Sequence, residues 1–290
     1  MTEAGTVDGA SGRGWAGYAP LDATAGQQLG AAWRDIVEGL RCWRSWTYLA
    51  LETIKNQYRR TVLGPWWLTI QTAFYVVGLA IIFGNILNTD LKAFLPYVAV
   101  GFIGFNLLSG LSRAASTTFV GASDRMRSTR QPLSSYVLRD AAIEFILFGH
   151  NMLIYLIFLV TGLVPVHLKI LVAIPVIALI GVNGFFSGLW LGPTVARFRD
   201  VGPLVLSVLQ VLVFFTPIFY RLSNLGAGRR RDLLDWNPFT YMLGAFRNPL
   251  VGAPLRLTDY LGVAVVTLIN VALGLFVFSR TRSRLPYWVA

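Results

Sequence analysis

The sequence predicts an all-α integral membrane protein: six transmembrane helices, an N-terminal amphipathic interface helix, and re-entrant gate helices on the outer face. Three observations predict it. Of 290 residues, 55% are apolar and only 13% are charged, about half the charged share of an ordinary soluble domain. Mean hydropathy is +0.58. Long apolar runs follow one another, each near the ~20 residues that cross hydrocarbon at ~1.5 Å per residue. A soluble globule of this length could not hide so much apolar surface, so disorder, a coiled coil and an ordinary cytosolic enzyme are excluded.

Three regions are expected in order: 1–26, 27–62 and 63–290. Residues 1–26 are rich in small residues without periodicity and read as a disordered tail. They lack the basic start and apolar run of a signal peptide. Region 27–62 holds the interface helix. Trp33, Ile36, Val37, Leu40, Trp43, Ala50, Leu51, Ile54 and Tyr58 recur with helical spacing, and Arg34, Asp35, Glu38, Arg41, Glu52, Lys55 and Asn56 fall between them. That pattern suits a helix lying in the membrane interface, or one packed on a partner. The membrane domain follows, with spans expected at 66–88, 94–118, 140–162, 170–191, 203–220 and 259–279.

Net charge is +11, with 3 Lys among 25 basic residues. High basicity alone would suit nucleic acid, but loops on the cytoplasmic side of a membrane protein collect Arg and Lys. Sixteen of these residues fall in 1–65, 119–139, 192–202 and 280–290. That side is expected to be cytoplasmic, with both termini inside. Segment 221–258 carries six Arg yet lies outside by span count. There Pro217 bends or ends span five, Asn237–Pro238 can start a short helix and Asn248–Pro249 can end it. Residues 239–247 are apolar but too short to span, which suits a re-entrant or interfacial helix within a gate segment 236–250.

Much familiar chemistry is missing. No GxxxxGK[ST] phosphate loop, HExxH or CxxC occurs. The lone Cys42 permits no intrachain disulfide, and His150 and His167 lack companion metal ligands. An intramembrane serine protease would need Gly-x-Ser-Gly, and the nearest run is Phe185-Phe186-Ser187-Gly188. Glu144 and His150 lie in span three, six residues apart, and pair poorly on one face. They serve either structure or a watery path. Aromatic residues at span ends form interfacial belts, and such rings also stack on sugars. Loops 120–139 and 192–202 are basic and suit docking of a cytoplasmic partner, or simple retention of positive charge inside.

The run Tyr58-Arg59-Arg60-Thr61-Val62-Leu63-Gly64-Pro65-Trp66-Trp67 joins the interface helix to the first span. Ala196-Arg197-Phe198-Arg199-Asp200-Val201 precedes span five. Phe215-Thr216-Pro217-Ile218-Phe219-Tyr220 ends it, and Asn237-Pro238 follows. From about residue 33 to 280 this order resembles Wzm-type permeases, the membrane subunits of ABC transporters that export polysaccharide. The resemblance implies a homodimer with two Wzt-type nucleotide-binding subunits, which bind ATP and Mg, and no cofactor in this chain. The chain would be no enzyme by itself. Its cargo would be a polyprenyl-diphosphate-linked polysaccharide of O-antigen, capsule, teichoic acid or cell-wall galactan type, crossing the bacterial cytoplasmic membrane. Lipids are further partners; nucleic acid is not.

Roles follow from the same resemblance. Glu38, Arg41, Asp124, Arg125, Arg127 and Arg130 would meet the ATPase. Arg59 and Arg60 sit at the depth where a diphosphate head arrives, and Arg suits phosphate oxygens; anchoring to anionic lipid is the rival role. Tyr75, Phe215, Phe219 and Tyr220 would line the glycan channel. Trp236, Asn237, Phe239, Tyr241 and Phe246 would form the outer gate. A polar polymer needs such a lined channel because unpaired polar groups are costly in hydrocarbon. The alternatives are an ABC permease for drugs or small lipids, and a stand-alone secondary transporter.

Overall fold

A computed structural model describes residues 24–129, 131–220, 234 and 236–289. The expected tail lies almost wholly outside the described residues. Every regular element among them is helical. Two helices lead: α1 (Ala25–Arg41) and α2 (Trp43–Gln57). The membrane domain holds α3 (Trp66–Ile86), α4 (Leu91–Gly121), the short α5 (Ser123–Ser128) and α6 (Leu133–Val160). A 3-10 turn (Leu168–Val172) leads into α7 (Ala173–Arg197). Then come α8 (Val201–Phe215), α9 (Pro238–Leu250), α10 (Leu257–Thr281) and α11 (Leu285–Trp288).

Among the described residues, five stretches are long and apolar enough to cross a membrane: α3, α4, α6, Leu168–Arg197 and α10. The remaining expected span, the fifth at 203–220, is shorter. Its helix α8 has 15 residues, reaching about 22 Å. Thr216 to Tyr220 continue without helix, because Pro217 has no N–H to donate and its ring collides with the preceding turn.

The expected single interface helix is two helices broken at Cys42. The Trp46 indole donates to the Gly39 carbonyl at 3.1 Å, taking an acceptor that the end of α1 leaves open. Gln131 donates to Ser45 Oγ at 3.3 Å, and the Trp66 ring stands edge-on to His150 at 6.5 Å. Between these two contacts the chain climbs beside the first half of α6. Leu133 to His150 is about 25 Å of helix, so α3 starts well above the base of α6.

Helix α4 is the hub. In its most apolar stretch 78% of residues are buried, against 17–28% in the other four candidates. Glycines let neighbours approach it closely, as small residues do between membrane helices. A Cβ added at Gly104 would stand 2.7 Å from Phe246 and 2.9 Å from Leu243, both on α9. Helix α9 is therefore no surface helix: Met242 to Arg247 are all buried. Helices α7 and α10 are joined by an amide chain. Asn183 Nδ2 donates to Thr267 Oγ1 at 2.7 Å, Asn270 Nδ2 to Asn183 Oδ1 at 3.1 Å, and the Trp190 indole to Asn270 Oδ1 at 2.8 Å.

Gly104→Leu is expected to push α9 off α4 and to cost about 1–3 kcal/mol, the usual range for overpacking. Thermal unfolding in detergent checks this. Gly78→Ala is the control, since a Cβ there meets nothing within 4 Å.

Candidate functional site

The candidate residues fall at three levels of the bundle. At the α1 end, one apolar cluster gathers Ala32 and Ile36 of α1, Met126 of α5, Leu133 and Val137 of α6, Leu189 and Ala196 of α7, Phe278 of α10 and Leu285 of α11. Asp35 sits within it, 3% exposed. Its carboxylate accepts from the backbone amides of Ser134 at 2.9 Å and Leu133 at 3.2 Å, and from Arg282 Nε at 3.1 Å. The Ser134 hydroxyl returns a bond to the Asp35 carbonyl at 2.7 Å. The first amides of a helix have no partner of their own and attract negative charge. Asp35 thus caps α6 from another helix while pairing with the end of α10.

Around this lock lie the residues expected to meet an ATPase. Glu38 and Arg41 are exposed on α1, and Asp124 and Arg127 are exposed on α5. Arg125 is half-buried, and its burial together with the nearby Arg139 pushes its pKa down. Arg130 lies outside the described residues. Arg127 reaches the Val289 carbonyl at 3.4 Å, Arg199 reaches that of Trp288 at 3.4 Å, and Arg197 stands 5.4 Å over the Trp288 ring. Helix α11 therefore clips α5 to the end of α7. The composition of 281–290 gave no sign of this clip. Asp35 had a readable signal: it shares the stripe 32, 35, 36, 39 with Ala32, Ile36 and Gly39, all buried.

The second level begins where α3 starts. Arg59 and Arg60 are exposed in the turn after α2, and Trp66 and Trp67 beside them are 57% and 54% exposed. Next to them a cleft of about 310 Å³ opens between α3, α4 and α6. Tyr75 lines it with Gln71, Thr72, Asn106, Arg113, Glu144 and Asn151. Glu144 packs over Gly110 of α4, while His150 turns to α3, where the Thr69 hydroxyl donates to its carbonyl at 3.2 Å. Glu144 and His150 thus meet different neighbours.

The third level is the α9 end. The non-helical stretch Thr216 to Tyr220 is held by side chains. Asn237 Nδ2 donates to the Phe215 carbonyl at 3.0 Å, Arg247 Nη1 to that of Pro217 at 2.6 Å, and the Tyr97 hydroxyl to that of Tyr220 at 3.0 Å. Asn237 also caps α9 by accepting from the Phe239 amide at 2.9 Å, with Pro238 in the first turn. Of the expected gate residues, Trp236 is 87% exposed. Phe239 meets Phe105 edge-on at 6.0 Å, Tyr241 packs at Gly262, and Phe246 is fully buried. The expected channel aromatics separate into two groups. Tyr75 stacks on Phe102 in the cleft, whereas Phe219 is buried against Phe83 at 5.0 Å near the half-buried Tyr220. Phe215 is 44% exposed on α8.

Residues 44–251, most of the chain, match the family model described as ABC-2 type transporter. No curated protein matches the chain.

Asp35→Ala is expected to destabilise the α1 end by about 3–5 kcal/mol, the range for breaking a buried ion pair. In a double-mutant cycle with Arg282→Ala, the coupling measured by chemical unfolding should be about 0.5–3 kcal/mol.

Proposed function

The chain belongs to the ABC-2 type transporter family and is the membrane subunit of an ABC transporter, and we propose that its cargo is a polysaccharide carried on polyprenyl diphosphate. Membership implies pairing with a nucleotide-binding subunit, so the power stroke comes from outside this chain. One observation carries the cargo assignment. The run Tyr58 to Trp67, with exposed Arg59 and Arg60, stands at the level where the first membrane helix starts. An anionic head anchored in the bilayer meets guanidinium groups there, and charge-assisted bonds to phosphate oxygens are strong.

The reading continues along the bundle. The α1 end is the cytoplasmic end, as its excess of Arg favours. The ATPase, of Wzt type, docks on α1, α5 and the clip made by α11. Closure of the ATPase moves α1, and the Asp35 lock passes that motion to α6 and α10. Two copies of the chain enclose the path. Helices α3 and α8 supply their facing surfaces; on α8 only Gly202 is buried within one copy. The amides and hydroxyls beside Tyr75 suit a mostly neutral polymer, which needs hydrogen-bond partners rather than rings of charge. Helix α9 closes the outer end.

A second reading, export of a small lipid, is favoured by an apolar groove of about 430 Å³ between α4, α7, α8, α9 and α10. The two readings part on what stimulates ATP hydrolysis.

The test uses the chain with its ATPase partner in lipid nanodiscs. Lipid-linked glycan is expected to stimulate hydrolysis, and the chain alone is expected to hydrolyse no ATP. In Arg59→Gln/Arg60→Gln the precursor concentration for half-stimulation should rise about tenfold or more, since bonds to charged groups contribute ~1.5–3 kcal/mol. Unchanged stimulation would assign the pair to lipid anchoring, and stimulation by free lipid alone would favour the second reading.

A further inference from the structure

A third cavity, of about 420 Å³, lies at the α9 end between the start of α4, one side of α9 from Thr240 to Asn248, and the start of α10. Its size falls in the range of small-ligand sites, ~300–1,000 Å³. Its walls mix apolar surface with several polar and charged side chains. Arg247, only 4% exposed, stands 3.9 Å over the Tyr97 ring and is steered by the Pro217 carbonyl. Asp259, also 4% exposed, accepts from Asn248 Nδ2 at 3.1 Å, and Arg256 completes the rim. Gly244 gives the Asp259 carboxylate its room: a Cβ there would meet the carboxylate carbon at 2.8 Å.

Thr240 supplies an independent observation. It is 2% exposed, it lines the cavity, and its hydroxyl has no hydrogen-bond partner among the described residues. Thr194 of α7 and Thr267 of α10 return this bond to the carbonyl four residues back, each at 2.7 Å. Thr240 is in the first turn of α9, and position 236 is outside the helix. Its hydroxyl is therefore left for whatever fills the cavity.

The charge pattern selects the class of ligand. An anion would face the Asp259 carboxylate in the same wall, and a cation would face Arg247 and Arg256. A neutral polyol meets both: each hydroxyl donates to carboxylate or threonine oxygen and accepts from guanidinium. We infer that this cavity is a sugar-binding subsite, holding a neutral sugar unit of the exported chain at the outer end of the bundle. The inference rests on the polysaccharide reading above.

The complex in nanodiscs is examined by saturation-transfer NMR with methyl glycosides of glucose, galactose, mannose and rhamnose. At least one is expected to bind, to weaken about tenfold or more in both Thr240→Val and Asp259→Asn, and to resist competition by inorganic phosphate. Thermal melting confirms that each variant is folded; Thr240→Val keeps the side-chain shape. No binding, binding indifferent to both variants, or displacement by phosphate would each overturn the subsite. Stimulation of ATP hydrolysis by lipid-linked glycan, read in the same preparation, separates the two ideas. Stimulation without glycoside binding removes the subsite and leaves the polysaccharide reading. Variant-sensitive glycoside binding without stimulation removes that reading and leaves a sugar site.

Discussion

The carboxylate of Asp35 joins three parts of the chain that are far apart in sequence: α1, the first turn of α6 and the end of α10. Pro132, which precedes α6, has no side-chain oxygen to cap it. The amides of Leu133 and Ser134 would otherwise face an apolar cluster unpaired, which a buried backbone group seldom does. A charge borrowed from another helix resolves this, and Arg282 keeps that charge from being isolated. Helix α1 can leave α6 only by exposing two amides, and it can leave the end of α10 only by splitting an ion pair. The amphipathic leader is thereby a rigid part of the bundle.

The opposite end obeys the same rule with different residues. Pro217 stops α8 short, so backbone carbonyls of 215 to 220 lie at the end of an apolar helix without helical partners. Non-helical backbone at that depth is tolerated only when buried in protein and satisfied there. Asn237, Arg247 and Tyr97 do this from three directions. These bonds also fix α9 in the bundle, with Phe246 filling the space that Gly104 leaves. The short helix and the broken span are one construction.

Apolarity made the spans legible, because hydrocarbon demands length and composition from every crossing segment. It misplaced the base of α6. Arg139 and Asp140 read as a loop boundary, but the Arg139 Nε bonds Asp140 Oδ1 at 2.8 Å and the helix runs on down to Leu133. The break at Cys42 was not legible either, since no Gly or Pro marks it; a tryptophan reaching back to a carbonyl does. Asp35 looked like one more polar residue between apolar ones until its stripe was compared with its neighbours'. The site residues taken from the family pattern fall at three levels of the bundle, and the expected channel aromatics do not stay together. How Tyr75 and Phe219 divide between cleft and core depends on neighbours distant in sequence, which periodicity does not record.

If Arg59 and Arg60 receive a lipid-anchored head as proposed, the raised start of α3 has a consequence for how that molecule finds them. The first turns of α6 and the climbing α2 stand below it like a pedestal, roughly 20 Å tall by helical rise. A solute arriving from bulk water meets the pedestal first. A molecule whose tail is dissolved in the leaflet glides in at the height of the arginine pair, so the search is two-dimensional and its rate is set by surface density in the bilayer instead of concentration in solution.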